Sequence, residues 1–282
     1  MSNYRKFKKH LKKRNLFYAI WRGIKYLVFI AKWRKGIFQD LPLNRIAKGR
    51  LRASCSSCGI NIFWKGKELT TSPGLNIAVN TLGIWTDSSK AQWKILSQQT
   101  NFLKIKVIYK ELPLTQIWFV GINSQNEIEW RVQSNVEEWM HIDEIRVLTT
   151  VHPYYKVWIS DYCYGDFPRL DNYWHDIYLK NQPMSLVGVR FSRGDNFLPS
   201  LVIENRKDGL LPLIQNSPLS SHAHIVGARI TNLNDTNNFE PGEYFILNSK
   251  VNIYEDEGVL DEKIETIRQN YLKNCIGKNK FE

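Results

Sequence analysis

The densest run of side chains able to bind or transform a polar ligand lies between Ser160 and Asp176. It reads Ser-Asp-Tyr-Cys-Tyr-Gly-Asp-Phe-Pro-Arg and continues through Asp171, Asn172, Tyr173, Trp174, His175 and Asp176. A pyranose ring presents an apolar C–H face that stacks on Trp or Tyr, and its hydroxyls take paired hydrogen bonds from Asp, Asn or Arg. Asp161, Tyr164, Arg169 and Trp174 supply that set. Asp161, Asp166, His175 and Asp176 are the candidates for acid–base work on a sugar. A second group sits in Gly83-Ile84-Trp85-Thr86-Asp87-Ser88-Ser89, where a carboxylate and hydroxyls flank an indole in a turn-like segment. Trp85 and Asp87 therefore join the carbohydrate-binding candidates. The plainer alternative for the first run is an exposed loop between strands, its aromatics folded back over the core.

Two further constellations have metal-ligand character. Cys55-Ser56-Ser57-Cys58 is a CxxC, but a structural zinc needs four ligands and no second pair follows at the usual spacing. A thioredoxin-like role needs a strand–helix context that this segment lacks. His222 and His224 would share one face of a strand, with a third ligand to come from His141, His152, His175 or a carboxylate. Spacing alone leaves both pairs open, and the expectation is no metal and no cofactor. Gly-x-Gly-x-x-Gly, Walker, Gly-x-Ser-x-Gly and His-Glu-x-x-His motifs are all missing, which argues against nucleotide-dependent chemistry.

Charge is divided sharply along the chain. Residues 1–50 hold fifteen Lys/Arg and one acid, Asp40, for a net of +14; the whole chain is +12, which leaves −2 for residues 51–282. Such a chain is a basic arm on a near-neutral body. Within the arm, Phe17, Ile20, Trp21, Ile24, Leu27, Val28 and Ala31 fall on one stripe at helical spacing, away from Arg14, Arg22, Lys25 and Lys32. Central charges argue against a spanning helix and against a signal peptide. A basic amphipathic helix lying on an anionic membrane surface fits better, with Lys12, Lys13, Arg14, Phe17, Trp21, Arg22, Lys25 and Trp33 as membrane contacts. The alternative is that the stripe docks on the body. Nucleic acid is disfavoured, since no recognisable binding motif accompanies the basic run.

The body reads as strands. Leu103–Val107 alternates apolar and basic residues, Glu127–Val132 alternates as cleanly, and Ile117–Ile122 is apolar on both faces, as a fully buried strand would be. Asn123-Ser124-Gln125-Asn126 predicts the hairpin turn between the last two. Further strands are expected at Leu75–Asn80, Gln92–Leu96, Tyr154–Ile159, Leu186–Phe191, Leu201–Ile203 and Ile225–Ile230, and as the pair Tyr244–Leu247 and Val251–Tyr254. Most tryptophans, Trp139 among them, are expected in strands and core, with Trp85 the exception. Leu260, Ile264, Ile267 and Tyr271 predict a closing helix with Asp261 and Glu262 in its first turn. The pattern fails around Leu41-Pro42-Leu43, so residues 36–52 read as a linker.

These elements describe an all-β protein: a large antiparallel β-sandwich with an N-terminal basic amphipathic helix and a C-terminal helix. The arm and linker occupy residues 1–52 and the sandwich residues 53–282. Its aromatic-rich strands resemble the β-sandwich modules attached to sugar-processing enzymes, mutarotase-like sandwiches included; that resemblance covers the body only and transfers no residues. The leading expectation is a carbohydrate-binding or accessory protein on the cytoplasmic face of a membrane, beside surface-polysaccharide or glycolipid assembly. Its partners would be a saccharide or glycolipid and the anionic surface. A sugar-processing lyase, epimerase or hydrolase of the same fold is the second reading. A scaffold that holds a protein partner without a small ligand is the third.

Overall fold

The computed structural model describes residues 44–167, 175–177, 185–190, 198–205, 211–216, 223–231 and 237–278. The basic arm, Arg169, Trp174 and His222 lie outside the described residues. The described chain is mostly β, in antiparallel sheets, with one C-terminal helix.

The first sheet has ten strands. Its spatial order is β1 (Arg45–Lys48), β2 (Leu51–Cys55), β3 (Ile60–Trp64), β5 (Thr70–Thr81), β12 (Glu144–Val151), β19 (His224–Ile230), β18 (Leu211–Asn216) and β15 (His175–Ile177). Short strands β4 (Lys67–Glu68) and β6 (Ile84–Asp87) pair with β3 and β5. The second sheet has nine strands. They run β14 (Tyr164–Asp166), β13 (Val157–Ser160), β16 (Leu186–Arg190), β17 (Ser200–Asn205), β21 (Gly242–Tyr254), β10 (Ile128–Val136), β9 (Leu114–Ile122), β8 (Phe102–Ile108) and β7 (Gln92–Gln99). β11 (Met140–His141) and β20 (Asn238–Phe239) make a small ribbon.

Alternation places the core between the two large sheets. Leu103, Ile105 and Val107 of β8 are buried with Trp118 and Val120 of β9 and Trp130 and Val132 of β10, against Ile77, Val147 and Val226 from the other sheet. Trp118 sits 5.0 Å from Trp93 and 5.2 Å from Trp130, ring centre to ring centre. Its indole N–H donates to Gln116 Oε1 at 3.0 Å, so burial leaves no donor unmade there. The expected hairpin at Asn123–Asn126 is present: Asn123 Oδ1 accepts from the backbone N–H groups of Gln125 and Glu127, and Asn126 takes the left-handed conformation.

Several expectations are corrected. β9 is not buried on both faces: Ile117 and Phe119 are half-buried, and the Phe119 ring lies under Lys104 and Arg131 at 5.3 and 5.8 Å. Tyr244–Leu247 and Val251–Tyr254 are one strand, because β21 is paired along its length by β10 and β17, and these ladders carry Asn248-Ser249-Lys250 through a turn-like composition. β1 and the first two residues of β2 fall inside the stretch read as a linker. Their signal is short, only Ile46, Leu51, Ala53 and Cys55 entering the core. β12 and β18 escaped notice altogether. Trp139 is 61 % exposed rather than core.

The closing helix, α1 (Glu257–Lys278), starts earlier than its composition suggests. Asp256 Oδ1 caps the N–H of Gly258, so Asp261 and Glu262 fall in the second turn. Asp261 instead shares Arg190 with Glu257, at 2.9 and 3.1 Å. Leu260 and Ile264 pack on Ile159, Leu186 and Val202, with Ile267 beside them, which holds the helix to the back of the nine-stranded sheet. Among the described residues, no helix is long and apolar enough to cross a membrane.

Candidate functional site

β12 runs through the ten-stranded sheet between β5 and β19. Ile145 and Val147 enter the core, so Glu144, Arg146 and Leu148 face outward. Register aligns Ala78, Arg146, Arg229 and Leu211 in one row, and Asn76, Leu148, Gly227 and Leu213 in the next. On the far side of β5, Trp85 lies opposite Asn80 and Asp87 opposite Ala78. One outward sheet face thus collects an indole, two carboxylates, two guanidinium groups and two carboxamides.

Its contacts are specific. The Arg146 guanidinium carbon stands 4.2 Å from the Trp85 ring centroid, and Arg146 Nε donates to Glu144 Oε1 at 2.6 Å. Ala78, beside Arg146 on β5, is small enough to let the guanidinium cross to the indole. Asp87 Oδ2 accepts from Asn76 Nδ2 at 2.9 Å, and its Oδ1 from the N–H of Ser89 at 2.6 Å, capping the 3-10 turn Ser88–Lys90. The amide oxygens of Asn76 and Asn80 have no hydrogen-bond partner among the described residues. Further along the face, Ala78, Leu148, Leu213 and Ile225 make a buried apolar cluster. Trp85 remains 40 % exposed, with its ring braced on one side. Such an arrangement can stack a flat apolar face and hydrogen-bond polar substituents around it.

The sequence-derived candidates do not converge on one place. Trp85 and Asp87 share this face. Tyr164 and Asp166 are exposed on β14, an edge strand of the other sheet. Phe167, next along the chain, stacks on His224 at 4.0 Å, and His224 pairs with Val151. Val151 and Arg146 are five residues apart on β12, about 17 Å. Asp161 is buried: its Oδ2 accepts from the N–H of Ser185 at 2.7 Å and its backbone carbonyl from Arg268 Nε at 2.6 Å. Burial raises the Asp161 pKa against the bond from the Ser185 N–H and the charge of Arg268. It holds the β13–β14 turn to α1 rather than facing solvent. β15 aligns His175 with Asn216 and Asp176 with Gln215.

The metal-like pairs resolve differently. Burial pushes His224 down to about 4, and His152 likewise to about 4, with the charge of His224 a second cause there. His224 Nδ1 shares a 2.7 Å hydrogen bond with Asn216 Oδ1. His141 is held between Asn238 Oδ1 at 2.8 Å and Asp143 Oδ1 at 3.0 Å. The bond to Asn238 raises its pKa against burial, and Asp143 adds to the rise. Burial, then the neighbouring Cys58, pushes the Cys55 thiol up to about 12, while Cys58 Sγ lies 3.2 and 3.3 Å from the hydroxyls of Ser56 and Ser72. No group of three metal-ligating side chains gathers among the described residues.

Arg146, Glu144, Asn76 and Arg229 were missed by sequence reasoning. The alternation in Glu144–Val147 was the available signal, and it places Glu144 and Arg146 on one strand face.

No family model and no curated protein matches the sequence. Solved structures align with the chain at low identity. An alpha-N-acetylgalactosaminidase from Bifidobacterium bifidum, in complex with GalNAc, aligns at TM-score 0.49 and 7 % identity over 75 % of this chain. A GalM/aldose epimerase homologue from C. elegans aligns at TM-score 0.47 and 9 % identity over 74 % of this chain. The heparan sulfate lyase HepC from Pedobacter heparinus aligns at TM-score 0.42 and 11 % identity over 73 %. The chain spans 36 % of the galactosaminidase and 33 % of the lyase, but 97 % of the epimerase homologue. None of the three assigns a role to a residue of this chain.

Proposed function

We propose that the chain binds saccharide on the outward face of its ten-stranded sheet, with Trp85 as the stacking surface. The observation that carries this reading is the exposed Trp85 ring braced by Arg146, with Asp87, Asn80 and Glu144 beside it. A C–H face of the sugar covers the free side of the indole, and the remaining lone pairs of the half-buried Asp87 and Glu144 carboxylates accept from its hydroxyls. Binding is favoured over turnover because Glu144 is committed to Arg146 and Asp87 to Asn76 and Ser89. The arm, at +14 over residues 1–50, holds the protein at an anionic membrane surface on the cytoplasmic side, where glycolipid or surface polysaccharide is assembled.

The test is a glycan array on the full chain at high salt, which screens nonspecific attraction to the arm. The array is repeated with Trp85→Ala, and bound glycans are analysed for chemical change. Loss of a defined glycan class in the variant supports the site; equal binding by both proteins removes it. Conversion of the glycan would move the reading to an enzyme.

A further inference from the structure

Just beyond Trp85, where β5 turns into β6, the sandwich ends in a cleft of about 410 Å³ lined by Leu82, Leu112, Pro113, Trp139, Met140 and His141. Leu82 is 76 % exposed and Trp139 61 %. The His141 bonds to Asn238 and Asp143 fix one wall of the cleft, and Asp143 also accepts from the N–H of Gly83 at the hairpin tip. Acids neighbour this apolar floor along the chain and across the strand pairings. Glu111, Glu137 and Glu138 adjoin lining residues in the chain, Glu240 follows the β20 strand paired to Met140 and His141, and Glu243 lies across from Asn135. Of the acids in residues 111–144, Glu111, Glu137, Glu138, Asp143 and Glu144 belong to this end of the strands, whereas Glu127 and Glu129 lie at the other end of the β9–β10 hairpin. An exposed apolar cleft with an acidic rim calls for a basic amphipathic occupant.

The chain itself contains one. We propose that the arm's apolar stripe, Phe17, Ile20, Trp21, Ile24, Leu27 and Val28, docks in this cleft. Arg14, Arg22, Lys25 and Lys32, which lie off that stripe, meet the surrounding carboxylates. The reach is sufficient. The Asn44 carbonyl accepts from Cys55, Cys55 pairs with Ile60, and Ile60 with Leu75, so Asn44 is level with Leu75. Thr81 is six residues further along β5, about 20 Å, and three strands across, about 14 Å, a diagonal of roughly 25 Å. Residues 34–43, extended, cover about 33–36 Å. The stripe is the same surface that lipid would bury, so cleft and membrane compete for it, and membrane attachment uncovers the hairpin that carries Trp85. The proposal does not depend on saccharide binding.

Hydrogen exchange of the full chain, without lipid, tests it. Slowed exchange in residues 17–31 is expected in the parent protein, falling roughly tenfold in Leu82→Asp/Trp139→Ala and in Glu137→Lys/Glu138→Lys, and falling also in about 0.5 M salt. Unchanged exchange in β9 and β10 certifies that each variant is folded, and the surface charge-reversal pair decides alone if the cleft variant is not. Three results would overturn the proposal. They are equal exchange of the arm in parent and variants, protection that grows with protein concentration and so reports a second copy, and protection that appears only with phosphatidylserine vesicles.

Discussion

Arg146 spans β5 to lay its guanidinium over the Trp85 ring at 4.2 Å, while its own Nε is tied to Glu144. The planar cation braces one side of an indole that is otherwise open to solvent, a rigid surface obtained with little loss of side-chain freedom on binding. Trp85→Ala is expected to weaken saccharide binding roughly ten- to a hundredfold. Arg146→Ala should give a smaller loss and Arg146→Lys should not restore it, since an ammonium cannot stack flat on the ring. Titration calorimetry with the glycan identified on the array measures all three. Full affinity in Trp85→Ala would leave the face without a role.

The floor of that face also holds a close backbone contact between two central strands. A Cβ added at Gly227 would sit 1.9 Å from the carbonyl oxygen of Val147, a backbone atom that cannot yield without parting β12 from β19. Gly227→Ala is therefore expected to cost about 2–3 kcal/mol or more, read as a lowered urea midpoint. A midpoint within error of the parent would show that the strands separate more easily than the ladder implies.

His152 and His224 make stability depend on pH. Burial holds both near 4 in the folded chain, against about 6.5 when unfolded. The unfolded chain thus binds more protons between these values, and the stability present at pH 7 is lost as pH falls from about 6.5 towards 4. At pH 5 the loss is on the order of 2 kcal/mol for each imidazole. Glu68, pushed up to about 7 by burial, runs the opposite way over the same window. Comparing urea midpoints of the parent and His224→Gln from pH 7 to pH 5 isolates the imidazole contribution. The parent should lose more stability than the variant, and parallel pH profiles would contradict the assignment.

Arg190 ties α1 to the nine-stranded sheet through Glu257 and Asp261, with its side chain 17 % exposed. Arg190→Ala should cost about 1–2 kcal/mol and speed amide exchange in the first turns of α1 before that of the strands. If exchange in α1 stays as slow as in the parent, Leu260 and Ile264 alone hold the helix.

Strands whose alternation is strong, such as Leu103–Val107 and Glu127–Val132, were readable as strands because a period of two needs only local pattern. The closing helix was partly readable from its own periodic stripe, although Asp256 rather than the later acids starts α1. β12 was readable only in its first half, where Glu144–Val147 alternates. Its tail, Thr149-Thr150-Val151, is buried on both faces and carries no alternation to notice. β21 reads as two strands because Asn-Ser-Lys resembles a turn until β10 and β17 hold it straight.

The candidate site divides along the same line. Residue type alone marked Trp85 and Asp87, an indole and a carboxylate in a turn-like, polar segment. The charge asymmetry of the arm and the β-rich nature of the body were likewise properties of composition and period. Which residues stand beside Trp85 was decided by register: the antiparallel ladders from β6 to β19 bring Asn76, Glu144, Arg146 and Arg229 onto one face from distant parts of the chain. The same folding puts Asp161 under α1 and leaves Tyr164 and Asp166 on the other sheet. Side-chain chemistry is local to a residue, whereas the neighbours that give it a use are set by long-range pairing that no short window of sequence contains.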